Sequence, residues 1–283
     1  MVILKKASDI EEYIYQKRNS GRKIGFVPTM GALHAGHISL VQRCKADDMM
    51  SVCSIFLNPT QFNDKSDLAK YPVSTDKDIE LLLNAGCEVL FLPDADEVYP
   101  GGSELATTYD FGYLETLLEG ASRPGHFKGV GQVVARLLSI VQPHTLYLGQ
   151  KDYQQCLIIT RLTQLTGMDQ MKVVICPTIR EADGLAMSSR NRRLTETQRT
   201  RAGILYQCLV SIQAKTEGGD FAVVRKECEE LMQAKGIAPE YVALADARDL
   251  NPLENYNKTI PMVALIAARV GEIRLIDNIL INT

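Results

Sequence analysis

Short runs of almost wholly apolar residues, separated by helical patterns, constrain this chain more than any other feature. "SVCSIFL" (51–57) and "EVLFL" (88–92) are the clearest. A strand with one wet face alternates polar and apolar residues. A strand that does not alternate is covered on both faces, as in a parallel sheet wrapped by helices. Candidate strands are Ile24–Val27, Ser51–Leu57, Glu88–Leu92, Thr145–Leu148 and Lys172–Cys176. Helical spacing falls between them at Ser39–Ala46, Asp76–Ala85, Val130–Val141 and Tyr153–Thr166, with Gly86 and Gly167 where C-caps belong. The expected class is α/β, a Rossmann-like parallel sheet domain over residues 1–176.

After Pro177 the pattern changes. "PTIREADGLAMSSRNRRLT" reads as a long polar connection. Two helical stretches follow, Glu196–Ala214 and Phe221–Ala234, split by "EGGD" (217–220). "EYVALAD", "MVALIAARV" and "IRLIDNILI" then alternate like strands. Residues 177–283 are expected to form a smaller α+β C-terminal domain.

A length of 283 residues accommodates two domains. The formal net charge of -3 offers no global basic field, so a nucleic-acid partner is not expected. No apolar run is long enough to span a bilayer, and acidic residues follow the short apolar start "MVIL" at once, so neither membrane nor signal peptide is expected. The seven cysteines are scattered, with no C-x-x-C, which reads as reduced buried thiols in a cytoplasmic protein.

Two of the chain's four histidines fall in "FVPTMGALHAGHISLVQ" (26–42), His34 and His37 on either side of Gly36. A strand ends at Val27 and a helix begins near His37. Ligands of open α/β sheets bind beyond the carboxyl ends of strands, and a helix N-terminus presents N–H groups to anions. A three-residue spacing on a helix places both imidazoles on one side, where they donate to a polyphosphate. A metal site is the weaker reading, because H-x-x-H lacks the H-E-x-x-H glutamate and no cysteine or carboxylate lies close by. From the spacing alone, two histidines in a solvated turn weigh as much as a phosphate site.

Four further segments repeat the strand-end or loop theme. "YLGQKDYQQ" (147–155) sets Lys151 and Asp152 at the start of a helix with Gln155 one turn in; a solvated lysine beside an N-cap aspartate is the plainer alternative. "FLNPTQF" (56–62) offers the neutral amides Asn58 and Gln61, the first better explained as a turn initiator. "SRPGHFKGVGQVV" (122–134) carries Arg123, His126 and Lys128, either an anion-contacting lid or an exposed basic turn. "GLAMSSRNRRL" (184–194) holds Ser188, Ser189 and Arg190, either a loop that closes over phosphates or a solvated linker.

Taken in order, "PTMGALHAGH", "FLNPTQF", "YP" (71–72), "RPGHFKGV", "GQKDYQQ" and "PTIREADGLAMSSRN" closely resemble the pantothenate synthetase (pantoate–β-alanine ligase) family. The H-x-G-H element alone marks only the wider nucleotidylyltransferase superfamily, which includes class I aminoacyl-tRNA synthetases. "MSSRN" stands where those synthetases carry their K-M-S-K-S-type loop. The resemblance implies a smaller C-terminal domain acting as a lid, a homodimer, and ATP with Mg²⁺, (R)-pantoate and β-alanine as partners. It implies pantoyl adenylate as intermediate, with pyrophosphate and AMP released. It implies an ATP site at Met30, Gly31, Ala32, Leu33, His34, Ala35, Gly36 and His37, at Gly149, Gln150, Lys151 and Asp152, near Ile179, and at Met187, Ser188, Ser189 and Arg190. Pantoate contacts fall on Gln61 and Gln155, β-alanine on Gln61, and His37 is the family's proton-donor position. Neutralising charge on the triphosphate is expected of His34, His37, Lys151, Ser188, Ser189 and Arg190. Three positions depart from the family pattern: Val73 for arginine, Gln150 for glutamate and Leu57 for valine.

Overall fold

In the computed structural model the chain divides into two compact units, Met1–Gly149 with Ile158–Pro177, and Gln150–Leu157 with Thr178–Thr283. The structure describes residues 1–63, 65–103, 106–215 and 220–282. Most of the expected break at 217–220 therefore lies outside the described residues.

The first unit is built on six parallel strands: β1 (Val2–Leu4), β2 (Ile24–Thr29), β3 (Met50–Ile55), β4 (Val89–Phe91), β5 (Thr145–Gly149) and β6 (Lys172–Cys176). Their order across the sheet is β1-β4-β3-β2-β5-β6. Every residue of β3 and β4 is buried, as unbroken apolar runs require. The five expected strands are present within one or two residues at each end. The edge strand β1 and the helix Ala7–Asn19 are additions that the sequence pattern does not announce. That helix buries only Ile10 and Ile14, so its apolar stripe is too thin to register.

The order reverses beside β2. The chain winds from β2 through β3 to β4 on one side and returns to place β5 and β6 on the other. The carboxyl ends of β2 and β5, at Thr29 and Gly149, therefore flank the switch point where open α/β sheets take their ligands.

The helix His126–Val141 is strongly amphipathic, with Phe127, Val130, Val133, Val134, Leu137, Leu138 and Val141 buried. Each such side chain contributes roughly 1.5–3 kcal/mol on burial. Its first turns press onto the single turn Pro59–Gln61. A Cβ on Gly129 would lie 2.4 Å from Thr60 O, so only glycine permits this approach.

In the second unit, β7 (Ala238–Asp246), β8 (Met262–Val270) and β9 (Ile273–Ile281) form an antiparallel sheet in the order β7-β8-β9. The helices Ile204–Ala214 and Phe221–Ala234 supply Leu205, Cys208, Leu209, Ile212, Val224 and Met232 to its core. The expected single helix Glu196–Ala214 is broken at Gly203, which caps the end of Glu196–Ala202 and the start of Ile204–Ala214.

All seven cysteines are free and buried. Burial pushes the Cys44 thiol up to about 12 and the Cys53 thiol well above the usual range. The thiolate is the reactive form. A disulfide reagent such as DTNB is expected to leave the native chain unlabelled over the time in which it titrates seven thiols in the denatured chain. A fast-reacting native thiol would contradict this burial.

Candidate active site

The turn after β2 is set by hydrogen bonds that the sequence does not announce. Thr29 Oγ1 donates to Ser54 O at 2.7 Å and accepts from Gly31 N at 3.2 Å. Gly31 has φ +83°, and Ala32 follows at φ 50°, a left-handed conformation uncommon for a residue with a Cβ. Asp78, on the first turn of the helix Thr75–Asn84, holds it there. Its two carboxylate oxygens accept from Ala32 N and Leu33 N, both at 2.8 Å, and Ser74 Oγ donates to one of them at 3.0 Å. Asp78 is only 1 % exposed.

The helix then starts at Ala35, two residues before the expected start near His37 and four before the helical spacing from Ser39, because the histidines cap it. His34 Nδ1 accepts from Gly36 N at 3.2 Å, and His37 Nδ1 accepts from His34 N at 3.3 Å. The ring centroids lie 4.1 Å apart. With each Nδ1 an acceptor, a neutral ring carries its hydrogen on Nε2. The turn thus presents two Nε2–H donors side by side at a helix N-terminus, an anion-binding arrangement.

Gln61 closes onto this turn, with Nε2 at 3.0 Å from Met30 Sδ. Its Oε1 accepts from Asn58 Nδ2 at 3.1 Å. Asn58 is fully buried: Nδ2 also donates to Gly129 O, and Oδ1 accepts from the Tyr99 hydroxyl at 3.0 Å. Asn58 therefore holds the turn, and Gln61 presents the adaptable amide. His126 is neither lid nor exposed turn. It is buried at the start of its helix, with Nδ1–H donating to Gln61 O at 2.7 Å and Nε2 accepting from Arg123 Nη1 at 3.1 Å. The helix begins earlier than its apolar spacing suggests and draws His126 in.

The second unit holds the other expected residues apart from Gly149, which ends β5 in the first. Gln150–Asp152 form one 3-10 turn ahead of the helix Tyr153–Leu165, which carries Gln155 in its first turn. Lys151 Nζ lies 3.3 Å from Asp152 Oδ1, with the lysine side chain 18 % exposed. "PTIREADGLAMSSRN" is no solvated linker. Met187 N–H donates to Ile179 O at 3.0 Å, Arg180 bridges Ala186, and Glu181 N–H donates to Leu185 O at 2.8 Å. The segment is a tight hairpin that turns at Glu181–Gly184, with Leu185 and Ala186 buried on its returning strand. Ser188 Oγ accepts from Arg190 N and caps the turn Ser189–Arg193. Val73 is 75 % exposed, whereas Gln150 Nε2 donates to Asn278 Oδ1 at 3.2 Å.

Sequence reasoning missed Asp78, Asn278 and Asp277. Asp78 reads as an acidic first-turn residue, one of several in "STDKDIE", and nothing local ties it to a turn 46 positions earlier.

A Rossmann-like sheet with an H-x-G-H turn at its switch point defines a nucleotide-binding α/β protein. The family model of pantoate–β-alanine ligase matches residues 2–280. A pantothenate synthetase of Herpetosiphon aurantiacus is 44% identical over 271 residues, covering 95% of this chain and 97% of its own. The crystal structure of pantothenate synthetase from Thermus thermophilus superposes with a TM-score of 0.90 at 38% identity, covering 99% of each chain. That of pantoate–β-alanine ligase from Francisella tularensis, complexed with "Beta-gamma ATP and Beta-alanine", gives a TM-score of 0.80 at 36% identity, over 100% of this chain and 98% of the other. The chain belongs to the pantoate–β-alanine ligase family.

Proposed function

We propose that this chain condenses (R)-pantoate with β-alanine in two steps at the cost of ATP. A pantoate carboxylate oxygen attacks the α-phosphorus, the bond to the bridging oxygen breaks, and pyrophosphate leaves. The β-alanine amine then attacks the acyl carbon of the adenylate, the bond to the phosphate oxygen breaks, AMP leaves, and the amine gives up a proton. The observation that carries the reading is the imidazole pair, two Nε2–H donors held by their Nδ1 contacts at the carboxyl end of β2.

A carboxylate attacks an anionic phosphate poorly, so the first step needs charge neutralised and the attack aligned. His34 and His37 donate to oxygens on which charge develops. Lys151 adds a point charge, and Ser188, Ser189 and Arg190 add donors from the hairpin unit. Gln61 and Gln155 bind pantoate through neutral amides, and Gln61 also serves β-alanine. Hydrogen-bond donation is sufficient for His37, because pyrophosphate leaves as an anion. Among the described residues no group of three or more His, Cys, Asp or Glu could hold a metal ion. In this reading magnesium would arrive with ATP, as the family resemblance implies.

This reading takes residues 1–176 as the nucleotide- and pantoate-binding domain, residues 177–283 as the lid, and the assembly as a homodimer. The buried reduced thiols suit the cytoplasm, and no helix among the described residues is long and apolar enough to cross a membrane.

The test is direct. With ATP and pantoate, pyrophosphate is expected without β-alanine, and AMP with pantothenate only once β-alanine is added. Adenylation of a phosphorylated alcohol in place of pantoate would overturn the reading.

A further inference from the structure

The strand β9 carries two buried polar residues side by side, Asp277 at 2 % and Asn278 at 1 % exposure. Neighbouring strand positions face opposite sides of a sheet. Ile273, Leu275 and Ile281 make up the row that enters the hydrophobic core, and Asp277 interrupts that row. Asn278 stands in the other row, which an antiparallel sheet usually leaves wet, and it is covered all the same. Two polar side chains buried in such positions need defined partners.

Asn278 Nδ2 donates to Gln150 O and to Lys151 O, both at 2.9 Å, while its Oδ1 accepts from Gln150 Nε2. One side-chain amide thereby fixes two consecutive peptides of the turn that carries Lys151. Asp277 forms a bidentate pair with Arg180, Oδ2 to Nη1 at 2.5 Å and Oδ1 to Nη2 at 3.0 Å. Arg180 Nη1 also donates to Gly184 O at 3.0 Å and Nη2 to Asn278 O at 3.2 Å, with the guanidinium 4.0 Å over the Tyr206 ring. Arg180 belongs to the hairpin whose far strand ends in Met187. Its planar fork locks the hairpin closure to β9.

We infer that Asp277 and Asn278 are positioning residues for the ligase reaction. Asn278 sets the aim of Lys151, and Asp277, through Arg180, sets the hairpin that presents Met187–Arg190. A single strand register therefore ties together both nucleotide-directed segments of this unit. The inference rests on the reading of Lys151 and Met187–Arg190 as phosphate-directed groups. It also accounts for Gln150: a neutral amide there pairs with the Asn278 carbonyl oxygen, where a carboxylate would face it as a second acceptor.

The test is a double-mutant cycle on the full chain. Asn278→Asp keeps the side-chain shape but turns an acceptor towards the Gln150 and Lys151 carbonyls. It is expected to slow single-turnover pyrophosphate release by about 10–100-fold, the cost of an ångström-scale misplacement, with the KM for β-alanine unchanged. Combined with Lys151→Ala it should add little to the loss from Lys151→Ala alone, because the asparagine acts through the lysine. Asp277→Asn should behave likewise against Arg190→Ala. Where Asn278→Asp does not accumulate as folded chain by thermal melting, Asn278→Ala removes the donor without adding charge. Losses that multiply fully in the double variants, or a wild-type rate for Asn278→Asp, overturn the inference and leave the site reading intact. A wild-type rate for Lys151→Ala overturns both.

Discussion

His37→Ala is expected to lower the single-turnover rate of pyrophosphate release from ATP and pantoate by about 10²–10³, the usual loss on removing one donor aimed at developing charge. The geometry isolates the effect. The imidazole accepts from His34 N–H at its Nδ1, so a neutral ring carries its hydrogen on Nε2. The structural cost is small, because a lost helix-capping contact amounts to about 1 kcal/mol. A melting curve separates that cost from the rate. His37→Gln sharpens the test. Glutamine donates but does not titrate near neutrality, so substantial recovery means the imidazole lends a hydrogen bond, and no recovery means it transfers a proton. A rate for His37→Ala near that of the wild type removes His37 from the mechanism.

Asp78→Ala is expected to be the most destabilising single change near the site. It leaves Ala32 N–H and Leu33 N–H without their acceptor, on two residues with no exposed surface. A buried orphaned donor costs about 1–3 kcal/mol, so the pair amounts to about 2–6 kcal/mol by denaturant unfolding. Ala32 adds to this, since its left-handed conformation persists only while its surroundings enforce it. Asp78→Asn keeps one acceptor oxygen and should fall between. If Asp78→Ala unfolds at the wild-type denaturant midpoint, the carboxylate does not hold the turn.

The sheet is legible in the sequence because burial on both faces leaves no alternation to hide it. β3 and β4 appear in the sequence almost as they stand in the fold. The residues proposed to face phosphate are legible through order and company, since "HAGH", "GQKD" and "MSSRN" each sit at a turn. What holds those turns is not legible. Asp78, Asn278 and Asp277 act across 46, 127 and 97 positions respectively. Within its own segment each looks ordinary: a helix-start acid, and two polar residues in an alternating strand. Local pattern records the period of a segment, whereas these residues answer to a partner that only the folded chain brings close.

The division of the chain carries its own consequence. The backbone passes from the first unit to the second at 149–150, back at 157–158, and over again at 177–178. The helix Tyr153–Leu165 is continuous through the middle passage. Neither unit is thus a module that one cut could release or one gene fusion could transplant. A C-terminal fragment beginning at Thr178 would contain Asn278 without the Lys151 turn it holds, and the complementary fragment would contain the lysine without its brace. Recombination between relatives would keep the side-chain pair of this brace only where the residues brought together at 150 and 278 were compatible as donor and acceptor.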